Sequence, residues 1–297
     1  MQMDDADKTS GEQPLARETL RHDGTHWLVS PQGGNPPRQP GPGLVPALDK
    51  AIAVIEYLNA HEAGKVSLAE LASNLQITKS HCHSILKTLL AYDWLRFDDL
   101  SKTYELHSGI FGSISRLLGT PAIDIIRREV GVFVEKVRFP CVLSQPLADD
   151  SFMLVDKFHD PMRMEVSLPM GYRYPRDACA QMRAYLGWAT RERIADWMKA
   201  WTPTPYTKLT PVTASEVITK IAETRIKGYA VSRGEFTEGL MAIAVPIFDR
   251  DRRVEYILNC SAPVAVLDGV EAEVASEIRA TVDRIHRQTL ARPPEDF

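Results

Sequence analysis

The sequence has no long uninterrupted apolar run, no paired cysteines and no strong excess of charge of either sign. No hydrophobic stretch approaches the length a helix needs to cross a bilayer, so no membrane partner is expected. The four cysteines, Cys82, Cys141, Cys179 and Cys260, lie far apart and form no CxxC pair. That spacing suggests neither a zinc ribbon nor a dithiol redox motif, and it fits a reduced, intracellular chain. Met1 to Ser10 is acidic and polar, without a signal-peptide core, so the cytoplasm is the expected address. A formal charge of −4 means that any contact with nucleic acid must come from a local patch.

Catalytic signatures are missing as well. There is no GxSxG elbow, no GxxxxGK[ST] phosphate loop and no HExxH zinc helix. Cys179 and Asp177 have no His close by in sequence, and Asp156 with His159 lacks a third ligand. No catalytic residue, metal or cofactor is therefore expected.

What is present is ordinary globular material. A chain of 297 residues, 44% hydrophobic and 25% charged, is long enough for two domains with separate cores. Residues 1–45 are polar and rich in Pro and Gly, which predicts a disordered tail. Helical spacing of Leu48, Ile52, Ile55 and Leu58 predicts a helix over Ala47 to His61. Ser67-Leu68-Ala69-Glu70 reads as a capping box opening a second helix to about Asn74. After a tight turn, Thr78 caps a third helix to about Tyr92, with Cys82, Ile85, Leu86 and Leu89 facing inward. Two short alternating runs flank Asp98 to Lys102 and predict a β-hairpin. Three helices followed by a hairpin, over 46–107, make a winged helix-turn-helix.

Gly109 to Leu118 reads as a linker helix within 108–120. Residues 121–291 alternate between the two element types. Strands are expected at Val142 to Leu147, Phe152 to Phe158, Met164 to Leu168, Tyr229 to Ser232, Leu240 to Phe248 and Val254 to Cys260. Helices are expected at Pro121 to Val137, Ala178 to Ala189, Arg191 to Trp201, Ala214 to Lys227 and Asp268 to Leu290. This pattern predicts one α/β sensor-like domain, followed by a short C-terminal tail over 292–297.

A helix that reads DNA needs short polar or cationic residues on its outward N-terminal face. The third helix offers Thr78, Lys79, Ser80, His81, His83, Ser84 and Lys87, with no acidic residue before Asp93. Ser67 opens the second helix, whose N-terminal amides suit a phosphate. Arg96 and Lys102 of the hairpin could hold the backbone or reach the minor groove. Against this, residues 47–107 carry 6 Lys and Arg but 8 Asp and Glu, a net of −2. Phosphate neutralisation per subunit should be modest, and a dimer on two half-sites would compensate. His81 and His83, two apart on a helix, do not face each other and cannot chelate one ion there.

At this level of detail the chain resembles the IclR family of bacterial regulators over residues 46–290. The likeness rests on Ala47-Leu48-Asp49-Lys50-Ala51, Leu68-Ala69-Glu70-Leu71-Ala72, Lys79-Ser80 and Leu86-Lys87-Thr88-Leu89 in the first domain. In the second it rests on Pro169-Met170-Gly171 with Pro175 and Ala178-Cys179-Ala180, on Gly228-Tyr229-Ala230, on Glu238-Gly239-Leu240 with Ile243 to Asp249, and on Ser261-Ala262-Pro263. The resemblance implies an α+β chain in which a winged helix-turn-helix is joined by a linker helix to a GAF-like effector domain. It implies assembly as a homodimer or dimer of dimers on a pseudo-palindromic double-stranded operator. It also implies an effector pocket at Arg163, Val166, Cys179, Ala180, Gln181, Ser232, Leu240, Ala242, Asn259 and Ser261. The chain departs from the family pattern at Ser84, where Arg is usual, at Asp177, where His is usual, and near Met182, where a small Gly is usual. Several family members respond to small organic acids, often aromatic. Arg163 in the pocket suits a carboxylate, held by two parallel hydrogen bonds. The expected function is a ligand-responsive transcriptional regulator of catabolic genes. The alternative is an enzyme, or an assembly module with a catalytic or purely structural second domain.

Overall fold

The computed structural model describes residues 45–61, 63–118, 121–159 and 168–297. The expected N-terminal tail and most of the strand expected at Met164 to Leu168 lie outside the described residues.

Helix α1 (Pro46–Ala60) starts with proline in its first turn, where the missing N–H costs nothing. It buries Val54 and Leu58. Strand β1 (Lys65–Ser67) leads directly into α2 (Leu68–Asn74). Ser67 caps α2 by accepting from the Glu70 amide at 3.3 Å. The capping box predicted here is only half made. The Glu70 carboxylate turns instead to Tyr57 and His61, so a tertiary contact takes the place of the local one. Gln76 has positive φ and makes the turn into α3 (Lys79–Ala91), which Thr78 caps from its side chain. Cys82, Ile85, Leu86 and Leu89 are buried, as their spacing predicts.

Strands β2 (Leu95–Asp98) and β3 (Thr103–Leu106) form the expected hairpin. The pattern of residues did not announce β1, which is only three residues long. It pairs antiparallel with β3 and makes a three-stranded sheet in the order β1-β3-β2. Val66, Leu71, Cys82, Leu86, Leu95 and Tyr104 join Val54 and Leu58 in one core.

Helix α4 (Gly109–Leu118) follows. Its start is fastened to the turn after α3, because the amide of Gly109 donates to the Asp93 carbonyl at 3.0 Å. A β-carbon on Gly109 would sit 2.4 Å from that oxygen, so only glycine fits this junction.

The C-terminal domain opens with α5 (Pro121–Val137) and is built on a six-stranded sheet ordered β6-β5-β4-β9-β8-β7. Its strands are β4 (Cys141–Pro146), β5 (Phe152–Phe158), β6 (Arg173–Tyr174), β7 (Ala230–Arg233), β8 (Leu240–Phe248) and β9 (Val254–Pro263). All pairings are antiparallel. One face packs against α5 and α10 (Glu271–Thr289) through Leu143, Met241, Ile243, Val245, Leu258 and Cys260. Alternation puts Val142, Phe152, Leu154, Ala244 and Ile257 in a second core, on the opposite face, with α6 (Cys179–Leu186). Helices α7 (Arg191–Lys199) and α8 (Ala214–Lys227) complete that side. Thr213 and Glu216 give α8 a full capping box, and Gly228 at φ 79° ends it in the left-handed cap that glycine favours.

Helix α6 ends at Leu186 rather than Ala189, α7 at Lys199 rather than Trp201, and the two-residue β6 is not among the expected strands. Strand β9 continues to Pro263. The single last helix is divided into α9 (Val264–Leu267), a 3₁₀ turn (Asp268–Val270) and α10. The C-terminal residues are not a loose tail. The Phe297 ring packs on Trp188, Phe248 and His286, and Trp188 Nε1 donates to the Asp296 carbonyl at 3.2 Å. A lone aromatic near a chain end carries no periodic signal, so only the pocket that receives it reveals its role.

Candidate nucleic-acid interface and ligand pocket

The buried stripe on α3 fixes which side chains face out. Thr78, Lys79, Ser80, His83, Ser84, Lys87 and Thr88 are exposed, and His81 is half-buried. Part of this polar face is spent on the helix itself. Ser84 Oγ donates to the Ser80 carbonyl at 3.1 Å, and Thr88 Oγ1 donates to the Ser84 carbonyl at 3.0 Å. Lys79 and Lys87 form no ion pair among the described residues, so their charges remain available to an anion. Cys82 is packed inside, where burial pushes its thiol up.

The wing is different. Arg96 Nε donates to Glu105 Oε1 at 2.6 Å, and Lys102 pairs with Asp99 at 3.4 Å. The Arg96 hydrogen bond holds the Glu105 carboxyl below its usual range, with Lys65 adding at 3.5 Å. Both cations expected to meet DNA thus already have partners on the hairpin. Sequence spacing hides this, because the charges meet only when β2 and β3 pair. The wing tip presents Leu100, 98% exposed.

The predicted pocket positions on the strands share one sheet face. Ala242 and Ala244 on β8 pair across to Ser261 and Asn259 on β9, and Ser232 on β7 lies opposite Ala242. These residues lie on the sheet face that α6 covers. The helical period places Ala180, Gln181 and Ala184 on one side of α6. Cys179, Met182 and Arg183 lie on the other side, where Cys179 lines a separate open recess with Asp177, Trp201, Thr210 and Val217. Cys179, grouped with the pocket by sequence, lines this recess, and burial pushes its thiol up to about 12. Cys260 lies on the α5 and α10 face beside Cys141. Leu240, at the start of β8, is half-buried. Arg163 and Val166 lie outside the described residues.

Sequence reasoning missed Ser144. It lies on β4 at the position paired with Ile257, after a register shift that follows Leu143. Ser144 is fully buried and its Oγ has no hydrogen-bond partner among the described residues. Asn259, also buried, leaves its Oδ1 without one among the same residues. Two unpaired polar atoms on one covered sheet face are costly unless something else satisfies them.

Two further interactions frame this face. Arg183, 1% exposed, reaches the Val231 carbonyl and pairs with Glu235 at 2.5 Å, pinning the β7–β8 connection to α6. Thr207 and Thr210 fasten the same connection by donating to the Gly234 and Glu235 carbonyls at 2.7 and 2.5 Å. Asp177, where a His was expected from the resemblance, accepts from Tyr206 at 2.5 Å, and burial together with this bond raises the Tyr206 phenol.

A winged helix-turn-helix with an exposed polar face on α3, joined through a helix to a sheet domain with buried polar side chains, is the architecture that family comparison assigns to bacterial transcriptional regulators. Residues 47–99 match the IclR helix-turn-helix domain, and residues 136–287 match the C-terminal domain of bacterial IclR transcriptional regulators. The chain belongs to the IclR family.

Among its relatives, the transcriptional repressor IclR of Escherichia coli is 25% identical over 236 residues, covering 76% of this chain and 83% of that protein. The acetate operon repressor of Salmonella typhimurium is 27% identical over 229 residues, covering 75% and 82%. An IclR regulator structure from Alicyclobacillus acidocaldarius superposes with a TM-score of 0.74 at 23% identity, covering 83% of this chain and 99% of that one. An IclR homologue from Microbacterium hydrocarbonoxydans, complexed with 4-hydroxybenzoate, gives 0.69 at 16% identity, covering 82% and 99%.

Proposed function

We propose that the C-terminal domain binds a small, compact organic acid, comparable in size to a benzoate, on the α6-covered sheet face. The observation that carries this is a pair of buried polar atoms, Ser144 Oγ and Asn259 Oδ1, that have no partner among the described residues. A ligand hydroxyl or carboxyl group would satisfy them, with Ser232, Ser261 and Gln181 beside them and Ala180, Leu240 and Ala242 as apolar wall. Arg163 is the proposed partner of the ligand carboxylate, with Val166 adding to the wall. The 4-hydroxybenzoate in the Microbacterium homologue supports an acid of this size and chemistry.

The proposed control is linkage between two sites. Two subunits place their α3 helices in successive major grooves of a pseudo-palindromic operator, and the effector changes the spacing of those helices through α4. Exposed Leu48 and Ile52 on α1 and Phe111 on α4 support a homodimer built on these helices. The genes controlled are proposed to be catabolic genes for the effector.

The test is a thermal-stability screen of aromatic and aliphatic acids, followed by operator binding with any acid that stabilises. A ligand at about 100 times its Kd adds roughly 2.7 kcal/mol of stability. Coupling of about 1–3 kcal/mol makes the effector bind DNA-bound and DNA-free protein with different affinities. Equal affinities in the two states would refute the linkage, and a screen in which no carboxylate stabilises the protein would refute the ligand class.

A further inference from the structure

The N-terminal domain is poorly charged for its task. It carries a net of −2 over residues 47–107. Three of its cations, Lys65, Arg96 and Lys102, are engaged with Asp98, Asp99 and Glu105. Lys79 and Lys87 are left on α3 and Lys50 on α1. Affinity for a duplex grows with the number of phosphates neutralised, so three lysines per subunit make a weak electrostatic anchor.

Uncommitted positive charge is concentrated elsewhere. Arg250, Arg252 and Arg253 are exposed on the β8–β9 hairpin, and Arg287 and Arg292 are exposed at the end of α10. Among the described residues none of the five forms an ion pair, whereas Arg127, Arg173, Arg176, Arg193, Arg225 and Arg233 of the same domain all do. The two segments are tied together. The Arg292 amide donates to the Asp249 carbonyl at 2.9 Å, and Arg250 Nε donates to the Thr289 carbonyl at 3.2 Å. The acids close by in the chain are Asp249, Asp251, Glu255, Asp283, Glu295 and Asp296, of which Asp296 pairs with Arg225. Asp249 Oδ1 is occupied by the amides of Asp251 and Arg253 at 2.7 and 2.9 Å.

The position of this patch matters as much as its charge. The last turn of α10 lies beside α5, where Gln288 bonds Glu129 at 2.8 Å and also meets Arg128. Helix α5 follows α4 almost directly in the chain. Lys136 pairs with Glu277 and Arg284 with Glu129, so α10 runs antiparallel to α5 and its arginine-bearing end is directed toward the half of α5 that follows α4. All five are arginine, whose planar fork matches phosphate oxygens in pairs.

We propose that this arginine face, in the effector domain, binds the DNA sugar-phosphate backbone flanking the site read by α3. It supplies the charge that the DNA-binding domain lacks. This rests on the chain being a DNA-binding regulator, and the test separates the two.

The experiment is fluorescence anisotropy of the full chain on a random-sequence duplex over a series of salt concentrations. One variant combines Arg252→Gln, Arg253→Gln, Arg287→Gln and Arg292→Gln. A second carries Lys at the same four positions, and a third combines Lys79→Ala and Lys87→Ala. Each phosphate that is no longer neutralised flattens the log–log salt slope by about 0.9. The fourfold Gln variant should flatten it by roughly 3–4 per subunit and weaken binding at least about tenfold at low salt. The Lys variant should retain most of the slope, which excludes misfolding as the cause. If the Gln variant matches the parent in slope and affinity while the Lys79 and Lys87 variant does not, the arginine face does not touch DNA. If the Gln variant instead lowers the melting temperature in a salt-dependent way with an unchanged slope, the face packs on acidic protein surface and the proposal fails. If the parent itself does not bind duplex DNA, the DNA-binding reading fails first.

Discussion

Replacing Glu235 with Ala is expected to be among the most damaging single changes in the C-terminal domain. Arg183 is 1% exposed, and its charge is balanced by Glu235, whose side chain is 12% exposed. With Glu235 removed, the guanidinium keeps one carbonyl, that of Val231, and has no counter-ion. Breaking one side of a buried pair costs about 3–5 kcal/mol, because the remaining charge stays out of water. At about 2–4 °C per kcal/mol for a domain of this size, the midpoint should fall by roughly 6–20 °C. The double variant Arg183→Met with Glu235→Leu removes both charges and should recover most of that stability. Calorimetry of the parent and the two variants decides it. A drop below about 1 kcal/mol for Glu235→Ala, or a double variant no better than the single, would refute the reasoning.

Ser144→Ala should raise ligand-free stability by about 1 kcal/mol and weaken effector binding, since it removes a buried unpaired hydroxyl; chemical denaturation and calorimetric titration test the two halves. His286 is buried, accepts from the Phe248 amide at 2.9 Å, and burial lowers it to about 4. A histidine held neutral in the fold stabilises above its unfolded value near 6.5, so stability should fall by about 3 kcal/mol as pH drops from about 6.5 to 4. A flat denaturation profile over that range would contradict this. Gly109→Ala forces a β-carbon against the Asp93 carbonyl and should cost about 1–3 kcal/mol in unfolding of the N-terminal domain, with weaker effector–operator coupling. Phe297→Ala should cost roughly 1–3 kcal/mol by emptying the Trp188 and Phe248 pocket, read as a lower denaturant midpoint.

Local chemistry made much of the fold legible. Thr78 before a 3.6-period stripe of Cys82, Ile85, Leu86 and Leu89 is enough to start α3 and orient its faces, because a cap and a burial stripe act within one helix. The same holds for the hairpin and for β8, whose apolar run and flanking glycine set its limits. Pairing decided what local chemistry could not. Arg96 and Glu105 are nine residues apart and meet only across β2 and β3, so the wing cations read as unpaired until the strands align. Cys179 joins Trp201, Thr210 and Val217 around one recess, residues that lie far along the chain and meet only in the fold. Ser144 became a candidate site residue only because a register shift and its strand neighbours bury it with no partner among the described residues. The two domains, their order and the reading helix were thus written into the order of residues, since periodicity and caps act over a few turns of chain. Which charges are spent, which polar atoms are left unsatisfied, and that two distant segments carrying five exposed arginines are hydrogen-bonded together emerged only on folding, because each depends on groups far apart in the chain coming into contact.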